Sequence, residues 1–536
     1  MPHADQSDLR LTFHGAARTV TGSCMELELR SRSILVDCGL FQGSRTLETL
    51  NHGSFEFAPD KIEAVVLTHA HIDHCGLLPK LVKQGFEGPI YCTPATADLL
   101  QFMLADAGRI QESDADRRNR RADRAGDTLF EPLYTEEDAM KAWRQTRQIP
   151  LCEWFEPAEG YRARFWNAGH ILGAASAEIE ANGTRMLFSG DLGPDNKAFH
   201  PDPEAPTGLD YVVCESTYGD RARERLTIEQ RRDQLEHEIK TALARGGNLI
   251  IPTFALERTQ ELLLDIAKLL DANRIPDVPV FVDSPLASRA TGVFSRHIDE
   301  MEDVGGEDVF RHPSIHFTQD VSESMRLNTM SGAIIMAASG MCEAGRIRHH
   351  LKHNLFRRDS TILFVGFQAR GSLGRVILEG AKRVRISGED INVRAEIRKI
   401  DSYSAHADRD ELHNWITTRR PINGTLFLDH GEPEGTDALR SLVQADDPTT
   451  NIIIPQIGET YALIPGQPAK RISTGHVDLE QMIGTDWQND YADFAANLKR
   501  HLGKIKNERQ RQKAIAEMRR VLESYTEFRN GKKEQG

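Results

Sequence analysis

The segment Thr68-His69-Ala70-His71-Ile72-Asp73-His74 packs three imidazoles and a carboxylate into seven residues, directly after the apolar run Ala64-Val65-Val66-Leu67. In an extended segment His69 and His71 project to one side, and a turn through Asp73 and His74 swings a second ligand pair towards a neighbouring position. Imidazole nitrogen and carboxylate oxygen suit zinc, and two adjacent ions are what a hydrolase uses to clamp an in-line displacement at phosphorus. A single histidine is usually a surface or satisfied core residue, and an isolated His-x-His pair is more often incidental than ligating. Four ligand-type side chains between a strand-like run and the helix-like Gly76 to Val82 point instead to a metal site.

The pattern resembles the metallo-β-lactamase superfamily, and its other signatures are present. Ser33-Ile34-Leu35-Val36-Asp37-Cys38-Gly39 looks like the early strand ending in aspartate that supports the metal loop. Asn167-Ala168-Gly169-His170 and Phe188-Ser189-Gly190-Asp191 look like the sources of the third histidine and the bridging aspartate. Further on, Cys214-Glu215-Ser216-Thr217-Tyr218-Gly219, Ser404-Ala405-His406-Ala407-Asp408 and Leu428-Asp429-His430-Gly431-Glu432 resemble the three additional motifs of the β-CASP nucleases. Shorter matches to that family lie at 252–258, 283–287, 338–341 and 366–375, so the resemblance runs from about Leu11 to about Leu463.

The resemblance implies two zinc ions per chain. His69, His71 and His170 hold one, Asp73, His74 and His430 the other, and Asp191 is shared. It implies hydrolysis of RNA phosphodiester bonds to 5′-phosphate and 3′-hydroxyl ends, since branches acting on DNA commonly carry valine where His430 stands. The candidate catalytic residues are Asp73, Glu215 and His406, with His406 as general acid for the leaving 3′-oxygen and Glu215 holding its tautomer. Ser339, Gly340, Met341, Arg370 and Ser404 are candidate substrate contacts. Two other classes stay open: a small-molecule metallohydrolase, which would not need the inserted domain, and a noncatalytic RNA-binding scaffold, which would not need a full ligand set. A redox di-iron relative would carry an acidic residue where Ala70 and Ile72 stand.

The elements that must position these residues fall into parts. Short alternating segments such as Cys24 to Leu29 and Met186 to Phe188, with a helix from Pro94 to Ala107, suggest an αββα sandwich. From about Thr217 strands and helices alternate: Asn248 to Ile251, then Leu256 to Leu270, Val278 to Val282, Ala333 to Met336 and Thr361 to Val365. That order predicts an inserted α/β domain with a parallel sheet. The fold class expected is α/β, with sandwich parts at 1–216 and 401–465, the β-CASP insert at 217–400, and a helical extension at 466–536. In that extension Trp487, Tyr491, Phe494, Leu498, Leu502 and Ile505 recur at spacings of three and four, as do Ile515, Met518, Leu522 and Tyr525.

Composition agrees with a large enzyme. The 536 residues carry a formal net charge of -14, which argues against indiscriminate polyanion binding and leaves any RNA contact to local charge. Arg117, Arg118, Arg120, Arg121 and Arg124 read as a solvated helix face. Lys382, Arg383 and Arg385 form another basic group. Arg346, Arg348, His349, His350 and Lys352 follow Ser339-Gly340-Met341, where a turn and a helix start would face an anion such as phosphate. Seven cysteines without a Cys-x-x-Cys pair read as reduced residues. With no membrane-spanning apolar run and no signal-peptide profile, a cytoplasmic location is expected, and a homodimer is compatible with the sequence.

Overall fold

The computed structural model describes residues 8–43, 45–125, 129–304, 308–366, 368, 372–475, 498, 502 and 504–530. The chain forms two units, Met1–Ile483 and Gly484–Gly536. In the first, period-two alternation builds two sheets that face one another: Leu9–Phe13 and Met25–Leu29 bury every second residue. An eight-stranded sheet runs Lys470–Ser473, Thr460–Leu463, Leu9–Phe13, Met25–Leu29, Arg32–Val36, Ile62–Val66, Ile90–Cys92, Thr146–Gln148. A six-stranded sheet runs Ile452–Ile453, Ile422–Asp429, Leu209–Glu215, Thr184–Phe188, Ala175–Ala181, Tyr161–Asn167. Phe13, Phe165, Phe188, Tyr211, Phe427 and Tyr461 fill the space between them. This is the αββα sandwich expected.

The insert has its own six-stranded sheet, ordered Ile315–Phe317, Val280–Val282, Ile334–Ala337, Leu249–Pro252, Thr361–Val365, Glu396–Ile400. Every pairing in it is parallel, as the strand-helix alternation predicts. The insert's placement creates the site. Leu209–Glu215 and Ile422–Asp429 are parallel neighbours with Glu215 opposite Asp429, so the chain leaves one strand end, builds the insert, and returns beside its own exit. Thr184–Phe188 is parallel to Leu209–Glu215, and Tyr161–Asn167 follows the same direction through one antiparallel neighbour. The segments carrying His170, Asp191, Glu215 and His430 therefore leave the same edge of one sheet.

Three expectations need correction. The helix expected to end at Ala107 runs Pro94–Ala125, because its second half, although charged, is a good helix former and carries the i,i+3 pair Asp114–Arg117 at 2.6 Å. The eight-stranded sheet draws its edge strand Lys470–Ser473 from the region assigned to the helical extension; its four side chains are all exposed, so no burial pattern announced it. The start expected for the insert's second helix shifts to Arg258–Asp271, with Glu257 ahead of it at φ 70. In the second unit Glu508–Asn530 is a helix; Trp487, Tyr491, Phe494 and Arg370 lie outside the described residues. Among the described residues, no helix is long and apolar enough to cross a membrane.

Candidate metal centre

Strand Ile62–Val66 delivers Thr68 and His69 to the sandwich edge, while its parallel neighbour Arg32–Val36 delivers Asp37. Asp37 is fully buried and accepts from Thr68 N at 2.8 Å, Thr68 Oγ1 at 3.0 Å, Ser23 Oγ at 3.1 Å and His74 Nδ1 at 2.7 Å. That last bond leaves His74 Nε2 free to face the neighbouring groups. Gly39 is required beside it: a Cβ there would stand 1.6 Å from the carbonyl oxygen of Asp73. His69 Nδ1 meets Thr68 Oγ1 at 3.0 Å and His170 Nδ1 donates to the Ala405 carbonyl at 2.8 Å, which frees Nε2 on both rings.

The freed nitrogens converge. His71 Nδ1 lies 3.2 Å from His69 Nε2 and 3.0 Å from His170 Nε2. A tetrahedral zinc with bonds of about 2.0–2.1 Å separates its ligand nitrogens by about 3.4 Å, so this triangle is close to one face of such a site. Asp191 Oδ2 lies 3.5 Å from both His69 Nε2 and His170 Nε2. On the other side, His74 Nε2 and His430 Nε2 are 3.2 Å apart, with Asp73 Oδ2 3.8 Å from the latter. Asp191 Oδ1 lies 3.3 Å from His74 Nε2 and 3.4 Å from His430 Nδ1. One oxygen of Asp191 thus faces each group, and Oδ1, although buried, has no hydrogen-bond partner. A cation supplies what such a set lacks, and the donor types fit zinc.

Protonation separates the two groups. Burial pushes His69 and His170 well below the usual histidine range and His71 down to about 4, so these rings are neutral and offer lone pairs. Burial opposes charge at His430 too, but Asp191 and Asp73 outweigh it and raise the ring to about 9; Asp191 and Asp37 do the same for His74. Beyond the ligand groups, His406 Nδ1 lies 3.3 Å from Glu215 Oε1, and its ring packs on His170 at 4.6 Å and on Tyr218 at 5.6 Å between centroids. Glu215 is fully buried and also accepts from Leu192 N at 2.6 Å. Arg223 donates to the His406 carbonyl and to Glu411, so the motif loop is held on both sides.

The structure therefore gathers His69, His71, His170 and Asp191; Asp73, His74 and His430; and Asp191, Glu215 and His406. Ser404 Oγ accepts from His406 N at 3.3 Å, within the same loop. Ser339, Gly340 and Met341 follow Ile334–Ala337 at the carboxyl edge of the insert's sheet, where Gly340 packs against the Phe254 ring. The expected phosphate-facing cluster is largely spent internally: Arg346 and His350 both bind Asp283 at 2.6 Å, and Lys352 pairs with Glu389 at 2.5 Å. Arg118 lies over the Phe130 ring and Arg383 pairs with Asp390 at 3.1 Å. Sequence reasoning named the runs that hold Thr68 and Glu257 without giving either residue a role, and it missed Arg223, Lys197 and His200, which carry no local signal.

The Lactamase_B model of the metallo-β-lactamase superfamily matches residues 17–273, the Beta-Casp domain model 259–377, and the Zn-dependent metallo-hydrolase RNA specificity domain model 390–455. With the fold and the site, these matches define a metal-dependent hydrolase. Ribonuclease TTHA0252 of Thermus thermophilus is 36% identical, over 81% of this chain and 96% of its own length. An RNase J-like protein of Methanocaldococcus jannaschii is 31% identical, covering 79% and 92%, and transcription termination factor FttA of Methanosarcina mazei 28%, covering 81% and 69%. A protein of unknown function from Enterococcus faecalis V583 shares the fold alone, with a TM-score of 0.50 and 15% identity over 85% of this chain and all of that one. The chain belongs to the β-CASP ribonuclease family of the metallo-β-lactamase superfamily.

Proposed function

We propose that the chain is a zinc-dependent ribonuclease that hydrolyses RNA phosphodiester bonds to 5′-phosphate and 3′-hydroxyl ends, cutting within the strand in preference to trimming an end. The reading is carried by Asp191, a buried carboxylate whose two oxygens address two separate ligand groups. His69 Nε2, His71 Nδ1 and His170 Nε2 would hold one zinc, Asp73, His74 and His430 the other, with Asp191 shared. Bound zinc supplies Lewis acidity at a phosphoryl oxygen and makes hydroxide available near neutral pH. Glu215 orients His406 through Nδ1, so Nε2 is the atom that passes a proton to the leaving 3′-oxygen. RNA as substrate is supported by the two relatives named as ribonucleases and by the RNA specificity domain match, which contains both His406 and His430.

The test is a time course with zinc-loaded protein on one RNA labelled at its 5′ end and, separately, at its 3′ end, beside the matching DNA and an Asp73→Ala control. Internal fragments from RNA alone, absent in the control, are the expected result. Mononucleotides released from one end would replace the endonuclease with an exonuclease. No cleavage of either polymer by a metal-replete sample would overturn the ribonuclease reading.

A further inference from the structure

Glu257 belongs to neither ligand group, yet its buried carboxylate reaches from the insert into the loop that carries His170. It stands at φ 70, ψ -67 just before helix Arg258–Asp271, at the centre of a γ-turn closed by Arg258 N on the Leu256 carbonyl at 3.0 Å, a positive-φ backbone that a residue bearing a Cβ adopts only at a cost. Such strain persists where the surroundings over-determine it, and here the side chain supplies the reason. The carboxylate is 1% exposed; Oε2 accepts from Leu172 N at 3.1 Å, and Oε1 from His200 Nε2 and Lys197 Nζ, each at 2.8 Å. Lys197, equally buried, also donates to the carbonyl oxygen of His170.

His170 and Leu172 lie in the loop between Tyr161–Asn167 and Ala175–Ala181, so the His170 carbonyl and the Leu172 amide have no sheet partner of their own. Lys197 and Glu257 provide those partners and neutralise one another. The backbone on the C-terminal side of His170 is thereby fixed, while its ring is set by Ala405 on one side and meets His71 on the other. Burial works against the Glu257 charge, but His200 and Lys197 prevail and bring it down to about 2, so the brace is ionic at neutral pH.

We infer that Glu257 is a positioning residue: through Leu172 and Lys197 it holds the His170 loop in its ligating position, so that the inserted domain sets the first metal group. This rests on the proposed metal assignment. Zinc is titrated against a chromophoric chelator into metal-free wild type, Glu257→Gln and Glu257→Gly. Glycine accepts φ 70 without strain and so separates loss of the carboxylate from any backbone effect. The wild type is expected to take up two ions. Both variants are expected to bind one as the wild type does and the other about ten- to a hundredfold more weakly, the scale of losing an outer support of a ligand.

Two tightly held ions in Glu257→Gly, with only the Tm of the metal-free protein lowered, would overturn the inference and leave Glu257 as a tie between lobes. If both single variants fail to fold, Glu257→Gly combined with Lys197→Met removes both charges together, and the same titration decides. Failure of the wild type itself to bind zinc would sink the metal assignment, a result distinct from any difference among the variants.

Discussion

In the insert's sheet, Asp283 is fully buried with Arg346 Nη1 and His350 Nε2 each at 2.6 Å and Ser324 Oγ at 2.5 Å, so both carboxylate oxygens meet donors. At the sandwich edge Asp191 is almost equally buried among histidines, yet its Oδ1 has no donor and the rings turn their nitrogens on one another at 3.0–3.2 Å. Both are buried aspartates beside histidine, and the electrostatics are opposite. At Asp283 donors answer both carboxylate oxygens, a structural tie. At Asp191 the lone pairs of three neutral rings, His69, His71 and His170, converge beside a carboxylate oxygen, a set that a cation completes. Composition alone does not separate a ligand set from an ion-pair network; the balance of donors and acceptors does.

Substitutions in the two clusters should therefore have different consequences. Asp191→Ala should release both ions and lower RNA turnover by about three orders of magnitude or more, the scale for a residue acting as part of a catalytic unit; elemental analysis beside the cleavage assay checks both. Retention of two ions in that variant would erase the contrast with Asp283. His406→Ala should lower kcat about 10²- to 10⁴-fold with metal content unchanged, because it lies beyond the ligand groups. Unchanged turnover with zinc bound would remove His406 from the mechanism. Asp37→Asn takes away the carboxylate that orients His74 and should weaken zinc binding about ten- to a hundredfold.

Asp283→Asn should leave zinc content and turnover as they are and change only stability. Hydrogen bonds from His350, Ser324 and Arg346 outweigh burial and hold Asp283 at about 2, below its ordinary 3.8. A depressed folded-state value contributes stability above the unfolded value, and that contribution, about 2 kcal/mol, is lost as pH falls from about 4 through about 2. The acid-unfolding curve of the variant should be flatter over that window.

The residues that meet at the sandwich edge are legible in the sequence because each follows an apolar strand in a short, distinctive run, as Thr68 to His74 follows Ala64 to Leu67. The parallel sheet of the insert is legible from strand-helix alternation. What brings Glu215 beside His430 is not legible from either segment: the parallel pairing of Leu209–Glu215 with Ile422–Asp429 spans the whole insert. The same distance problem misdirected the reading of Arg346 and His350, whose shared partner Asp283 lies more than sixty residues earlier. Lys197 and His200 are single residues in a loop, Glu257 sits in the matched run 252–258, and only the fold makes them a network.

On the proposed mechanism Asp191 joins two metal positions. A crystal of the zinc-loaded protein, with data collected on both sides of the zinc absorption edge, tests it directly. The account predicts two anomalous peaks, one bounded by His69, His71 and His170 and the other by Asp73, His74 and His430, with Asp191 between them. A single peak, or peaks outside these two groups, would contradict it.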